Sequence, residues 1–218
     1  MGSKLKQSEA AILDRSETAL TNAKAQPEIA SAMEESGYGP DEIAEGEAIL
    51  KETQTVFTGN RTEDTEASDA YDEFDALKNN IEKQYKVHRK KAKIVFKNDP
   101  VTLQKLDIHK PEPDAYISWV DSLETFYGAI TASEEIQAQL NRLKLTAEKV
   151  QQAAALIPQM KTARTKYLKE KGESEDATKA KDAAFAKLNS WMSDFYAVAR
   201  IALEDNPQLL EALGITVK

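Results

Sequence analysis

The stretch Asn98-Asp99-Pro100-Val101-Thr102-Leu103-Gln104-Lys105-Leu106-Asp107-Ile108 has a twin 107 residues downstream, Asp205-Asn206-Pro207-Gln208-Leu209-Leu210-Glu211-Ala212-Leu213-Gly214-Ile215. In both, an Asn/Asp pair precedes Pro, and Leu, Leu and Ile recur at shared positions. Asp99 and Asn206 are residue types that cap a helix N-terminus. Pro at the first helical position lacks only an N–H that would be unpaired anyway. Gly214 can end the second copy in a left-handed conformation. Each stretch therefore reads as a short closing helix, and its repetition decides the fold.

Working outward, residues 8–108 align with 115–215 without a gap, and 21 of the 101 pairs are identical. Chance would supply roughly six or seven from average residue usage. Identities include Asp14/Asp121, Glu17/Glu124, Ile29/Ile136, Asp69/Asp176, Asp75/Asp182, Ala92/Ala199 and Ile94/Ile201. Apolar character persists where identity is lost, as at Leu13/Val120, Met33/Leu140, Ile81/Leu188, Tyr85/Met192 and Phe96/Leu203. A shared composition does not align Pro, caps and apolar positions together. The sequence reads as a tandem duplication.

Within one copy, apolar residues at helical spacing predict a first helix over residues 8–25 and its partner over 114–131. A short second helix follows, opened by Pro27 in one copy and capped by Ser133 in the other. A third starts at Pro40-Asp41-Glu42 or after Thr146, and Pro158 inside it predicts a kink or break. Polar loops are expected at 58–67 and 171–175. A long fourth helix is expected beyond them, over 68–97 and 175–204. The fold class is all-α: a tandem duplication of a helical-bundle unit with three longer helices and two short ones, the copies packed about a pseudo-two-fold axis. The expected organisation is a flexible N-terminus at 1–7, a first bundle at 8–108, a Pro-containing linker at 109–113 and a second bundle at 114–218.

Composition narrows function by exclusion. The chain has 218 residues, 41% hydrophobic and 30% charged, with no cysteine. Disulfides, thiolate metal sites and cysteine nucleophiles are excluded. No run of 18 apolar residues exists, so no membrane span is expected. The first ten residues carry no signal-peptide core, which makes the cytoplasm the expected compartment. A net charge of −8 argues against nucleic acid as the main partner.

Motifs for chemistry are few. The two histidines, His88 and His109, do not follow Glu by three residues, as a di-iron bundle requires. The acidic run from Glu63 to Glu73 lacks the spacing and the turn glycine of a calcium loop. No nucleophile elbow and no phosphate-binding glycine loop is present. The expectation is a protein without catalytic residues, cofactor or metal.

Two features differ between the copies. Lys86, Arg89, Lys90 and Lys93 share a helical face with Lys97 one turn beyond, a possible anion-binding face that the second copy lacks. Trp119, Phe126, Tyr127, Trp191 and Tyr196 all fall in the second copy, as core or as interface anchors. The leading functional expectation is a protein–protein interaction or scaffold module with a protein partner or self-association. The alternatives are a small-ligand binder with a pocket between the repeats, and an anion or nucleic-acid binder through the basic face.

Overall fold

The computed structural model describes residues 8–217, so the expected flexible segment 1–7 lies outside the described residues. Among the described residues the chain forms seven α-helices and one 3₁₀ helix, with no strand. They are α1 (Glu9–Ala25), α2 (Pro27–Glu35), α3 (Pro40–Val95), α4 (Pro100–Lys105), α5 (Tyr116–Thr131), α6 (Glu134–Asn141), α7 (Ala147–Ala202) and the 3₁₀ helix Pro207–Leu213. No described helix is long and apolar enough to cross a membrane.

Local signals explain the helix ends. Ser8 accepts a hydrogen bond from the Ala11 amide at 3.2 Å, and Asp99 accepts one from the Thr102 amide at 3.0 Å. Each such cap stabilises by about 1 kcal/mol. Ser133 and Thr146 cap α6 and α7 in the same way. Asn206 departs from expectation, because its side chain makes no capping bond and the segment it opens is 3₁₀ rather than α. Left-handed residues close four turns: Gly37 at φ 84°, Gly214 at 73°, Asp107 at 50° and Lys144 at 56°. Asp107 and Gly214 occupy equivalent positions at the 107-residue offset, as do Gly37 and Lys144. Asp and Lys thus adopt a conformation that glycine takes at lower cost.

The main correction concerns the polar segments. Residues 58–67 and 171–175 are helical, so the expected third and fourth helices are one. α3 and α7 each run 56 residues, from Pro40 to Val95 and from Ala147 to Ala202. Polarity marked these segments as loops, yet neither contains a proline. The Thr55, Thr58, Thr62 and Thr65 hydroxyls each donate to the carbonyl four residues back. Those bonds keep the threonine hydroxyls paired within the helix, at a small cost to its stability. The helix also runs through Pro158, so the expected break is not there.

Two compact units result, and they do not coincide with the two halves of the sequence. One extends to Thr65 and resumes at Gly172, and the other is Glu66–Lys171. Thr65 and Gly172 are themselves separated by the 107-residue offset. Each unit therefore combines the beginning of one half with the end of the other, rather than one half folding as one bundle.

The first unit buries Leu13, Leu20, Ile29, Met33 and Leu50 with Leu188, Met192, Phe195, Leu203 and Leu213. Trp191 lies over Gly46 so closely that a Cβ there would meet the indole at 2.3 Å. Asn22 donates to the Ala212 carbonyl at 2.7 Å, tying α1 to the 3₁₀ helix.

The second unit buries Ile81, Tyr85, Phe96 and Leu106 with Leu123, Phe126, Tyr127, Ile130 and Leu140. Tyr85 and Phe126 meet edge to face at 5.3 Å. Burying each such ring contributes about 1.5–3 kcal/mol. Core positions of the two units correspond at the same offset: Ile29/Ile136, Met33/Leu140, Ile81/Leu188, Tyr85/Met192 and Phe96/Leu203 are buried in every case.

Candidate functional site

The sequence directs attention to the end of α3, within the second unit. Core contacts there fall on Ile81, Tyr85, His88, Ala92 and Phe96. Helical spacing turns Lys86, Lys90 and Lys93 to the opposite side. All three are exposed, as is Lys97 in the turn that follows. Residues 83–110 hold eight Lys and one Arg against two acids, Asp99 and Asp107. Both acids are engaged. Asp99 caps α4, while Asp107 accepts from Ser122 Oγ at 2.6 Å and pairs with Lys110 at 3.1 Å.

The five cations expected on this face are not equivalent. Lys86 is ion-paired with Glu82, which raises its pKa. Arg89 is half-buried and donates to the Lys110 carbonyl, so it anchors the 109–113 linker rather than presenting a free guanidinium. Partial burial, then the charge of Arg89, lowers the Lys93 pKa. Among the described residues Lys90, Lys93 and Lys97 have no ion-pair partner. The free part of the basic face is therefore Lys90, Lys93 and Lys97.

Sequence reasoning missed the apolar members of this surface. Val87, Ile94 and Val101 are exposed, Ile94 at 64% and Val101 at 75%. Val87 and Ile94 lie seven residues apart on α3 and fall off its core stripe, a signal that reading the stripe alone passes over, while Val101 lies on α4.

Beside Lys86 lies an open cleft of about 450 Å³, lined by Lys78, Glu82, Lys86, Glu112, Pro113, Asp114, Tyr116 and Trp119. Trp119 forms one wall and donates from Nε1 to Glu112 at 2.9 Å. The Tyr116 hydroxyl is buried without a hydrogen-bond partner. The Arg164 guanidinium lies 4.2 Å from the centre of its ring. The lining comes from both halves of the sequence and from the linker.

The aromatic candidates separate. Trp119, Phe126 and Tyr127 are buried in the second unit, whereas Trp191 and Tyr196 are half-buried in the first. They form no single patch. Trp191 stacks on Phe195 at 5.6 Å and meets Tyr38 at 5.8 Å. Arg15 lies 4.7 Å from the Tyr196 ring centre. These rings join segments from the two halves of the chain, and Phe126 and Tyr127 are closed to an outside partner.

The groups with the most displaced pKa values are also interior. His88 is 7% exposed, and its Nδ1 lies 3.0 Å from the Tyr127 hydroxyl. Burial, reinforced by Lys91 and Lys149, lowers its pKa to about 4. Burial raises Tyr85 to about 12 and Tyr127 further still. The three are packed among Phe126 and Ala92 in the second core. At this depth the neutral imidazole and the neutral phenol satisfy each other and fill core volume. His109 is exposed in the linker.

No protein-family model, no curated protein and no solved structure matches this chain.

Proposed function

We propose that this chain is a non-catalytic interaction protein that binds an acidic protein partner through the basic face of the second unit. The observation that carries the reading is the unpaired set Lys90, Lys93 and Lys97 with exposed Val87 and Ile94 on the same helix end. Cations give steering and specificity, and isolated apolar side chains among them give contact area that excludes water. A bare phosphate backbone has less use for the apolar members, which favours a protein over nucleic acid. We read the 107-residue spacing as a tandem duplication whose halves exchange their ends, and the cytoplasm as its compartment. One equivalent face then acquired charge while the packing positions were held.

The test is fluorescence anisotropy with labelled poly-L-glutamate and with a DNA oligonucleotide of matched charge, at 50 and 150 mM salt. Poly-L-glutamate should bind, and the triple variant K90E/K93E/K97E should weaken it at least about tenfold while circular dichroism stays unchanged. Binding of neither probe sinks the reading, and preference for DNA replaces it with a nucleic-acid binder.

A second reading rests on the cleft beside Lys86. Its volume falls in the range of small-ligand sites, and it presents a ring wall together with Lys78 and Glu82. A ligand at 100 times its dissociation constant would add about 2.7 kcal/mol of stability. A thermal-shift screen of charged metabolites reads this directly, and a flat screen removes it.

A further inference from the structure

The 107-residue offset that maps Ile94 onto Ile201 also maps the basic end of α3 onto the end of α7 in the first unit. Ile201 is 71% exposed, against 64% for Ile94. A large β-branched side chain left in water at both positions is not explained by either core. The surroundings differ in sign. Residues 190–217 hold one cation, Arg200, against four acids, Asp194, Glu204, Asp205 and Glu211. All four acids are exposed, and among the described residues none has an ion-pair partner. Arg200 is directed to its own helix, donating to the Tyr196 carbonyl. One end thus offers unpaired lysines around an exposed isoleucine, and the other offers unpaired carboxylates around an exposed isoleucine.

From this juxtaposition we infer that the acidic partner is a second copy of this chain: the Lys90–Lys93–Lys97 face around Ile94 of one molecule docks on the Asp194–Glu204–Asp205 face around Ile201 of another. The inference rests on the reading of the basic face given above and names its occupant. The two faces are different surfaces, so the contact is head to tail and leaves one face of each sign free at the ends. Association should therefore extend with concentration rather than stop at a dimer. Charge pairing at a rim also makes it salt-dependent, since the screening length falls from roughly 14 Å at 50 mM salt to about 4 Å at 500 mM.

The experiment is sedimentation equilibrium of the full chain over a hundredfold range of concentration. At 50 mM salt the weight-average mass should rise with concentration, and at 500 mM it should return to that of the monomer. The variants K90E/K93E/K97E and D194K/E204K/D205K each carry two ends of like sign. Each alone should remain monomeric at 50 mM salt, and an equimolar mixture should associate again. Recovery on mixing is not produced by variants that merely misfold. A wild-type chain that stays monomeric at 50 mM salt, or a mixture that stays monomeric, overturns the inference. If that monomeric chain still binds poly-L-glutamate, the reading of the basic face stands with a different partner, and if it does not, both fall.

Discussion

The end of α3 and the end of α7 share a plan and differ in what they show the solvent. In both, a short helix opens on a Pro, with a side-chain cap from Asp99 in one and none from Asn206 in the other, and Leu and Ile fill the same buried positions, Leu106/Leu213 and Ile108/Ile215. On the outside, nine cations and two acids stand at one end, against one cation and four acids at the other. Inside, His88 and Tyr127 of the second unit stand where the first has Phe195 and Leu20. The core constrains shape and volume closely, but an exposed face only has to be soluble, so charge is the property free to diverge. The polar pair at His88 is the costlier difference, because it places a titratable ring in an apolar core.

That difference should break first in acid. His88 titrates near pH 4 when folded, against 6.5 as its ordinary value. A base whose folded pKa is depressed contributes its full stability above pH 6.5. The unfolded chain then takes up the proton first, so this contribution is lost as the pH falls from 6.5 through 4. The size is about 3 kcal/mol at most. Urea unfolding at pH 7 and pH 4.5 should show the loss, and H88F/Y127L, which imports the first unit's pair, should reduce the difference. An unchanged difference would falsify the role given to His88.

Next in size is the contact between Gly46 and Trp191. Ala153 occupies the position equivalent to Gly46, and Gln84 that of Trp191, so only the first unit uses glycine to seat an indole. G46A should cost about 2 kcal/mol through overpacking, despite a helix-propensity gain of up to about 1 kcal/mol. A153G should cost about 1–2 kcal/mol, from lost propensity and a buried methyl, with no overpacking involved. A G46A variant that gains stability in thermal unfolding would show that Trp191 simply moves aside.

A smaller effect of opposite sign is expected at Lys144. It holds φ 56° where the equivalent Gly37 holds 84°. K144G should stabilise by about 1 kcal/mol, and G37A should destabilise by a similar amount, since a Cβ at Gly37 meets nothing within 4 Å. Two changes of the same sign would mean that side-chain contacts rather than φ govern these turns. Least costly per position should be K90E/K93E/K97E. Each of the three exposed changes should cost less than about 1 kcal/mol, the range for one charge near a helix C-terminus, so that any loss of binding is not a loss of fold.

Much of this was legible in the chain. The caps Ser8, Asp99, Ser133 and Thr146, the left-handed Gly214 and the buried positions shared at the 107-residue offset are local or periodic signals. The basic residues of the candidate face were legible too, because helical spacing places Lys90, Lys93 and Lys97 together. Arg89 was not, because its turn toward the Lys110 carbonyl depends on where the linker passes. Exposed Ile94 was hidden because it lies off the core stripe, and the stripe is the signal that helical periodicity supplies.

By itself, then, the sequence determined the helix class, the 107-residue recurrence, most helix ends and which residues seek a core. Only the tertiary structure decided that α3 and α7 pass unbroken through polar stretches, and that each core takes its two parts from different halves of the chain. The physical reason is range. Capping and periodicity act over a few residues, so one strand of text carries them. A polar stretch without proline is almost balanced between loop and helix, and distant packing at its two ends tips it. Which apolar stripe meets which is likewise settled by complementary volumes far apart in sequence, as when Phe126 meets Tyr85 and Phe195 meets Tyr38.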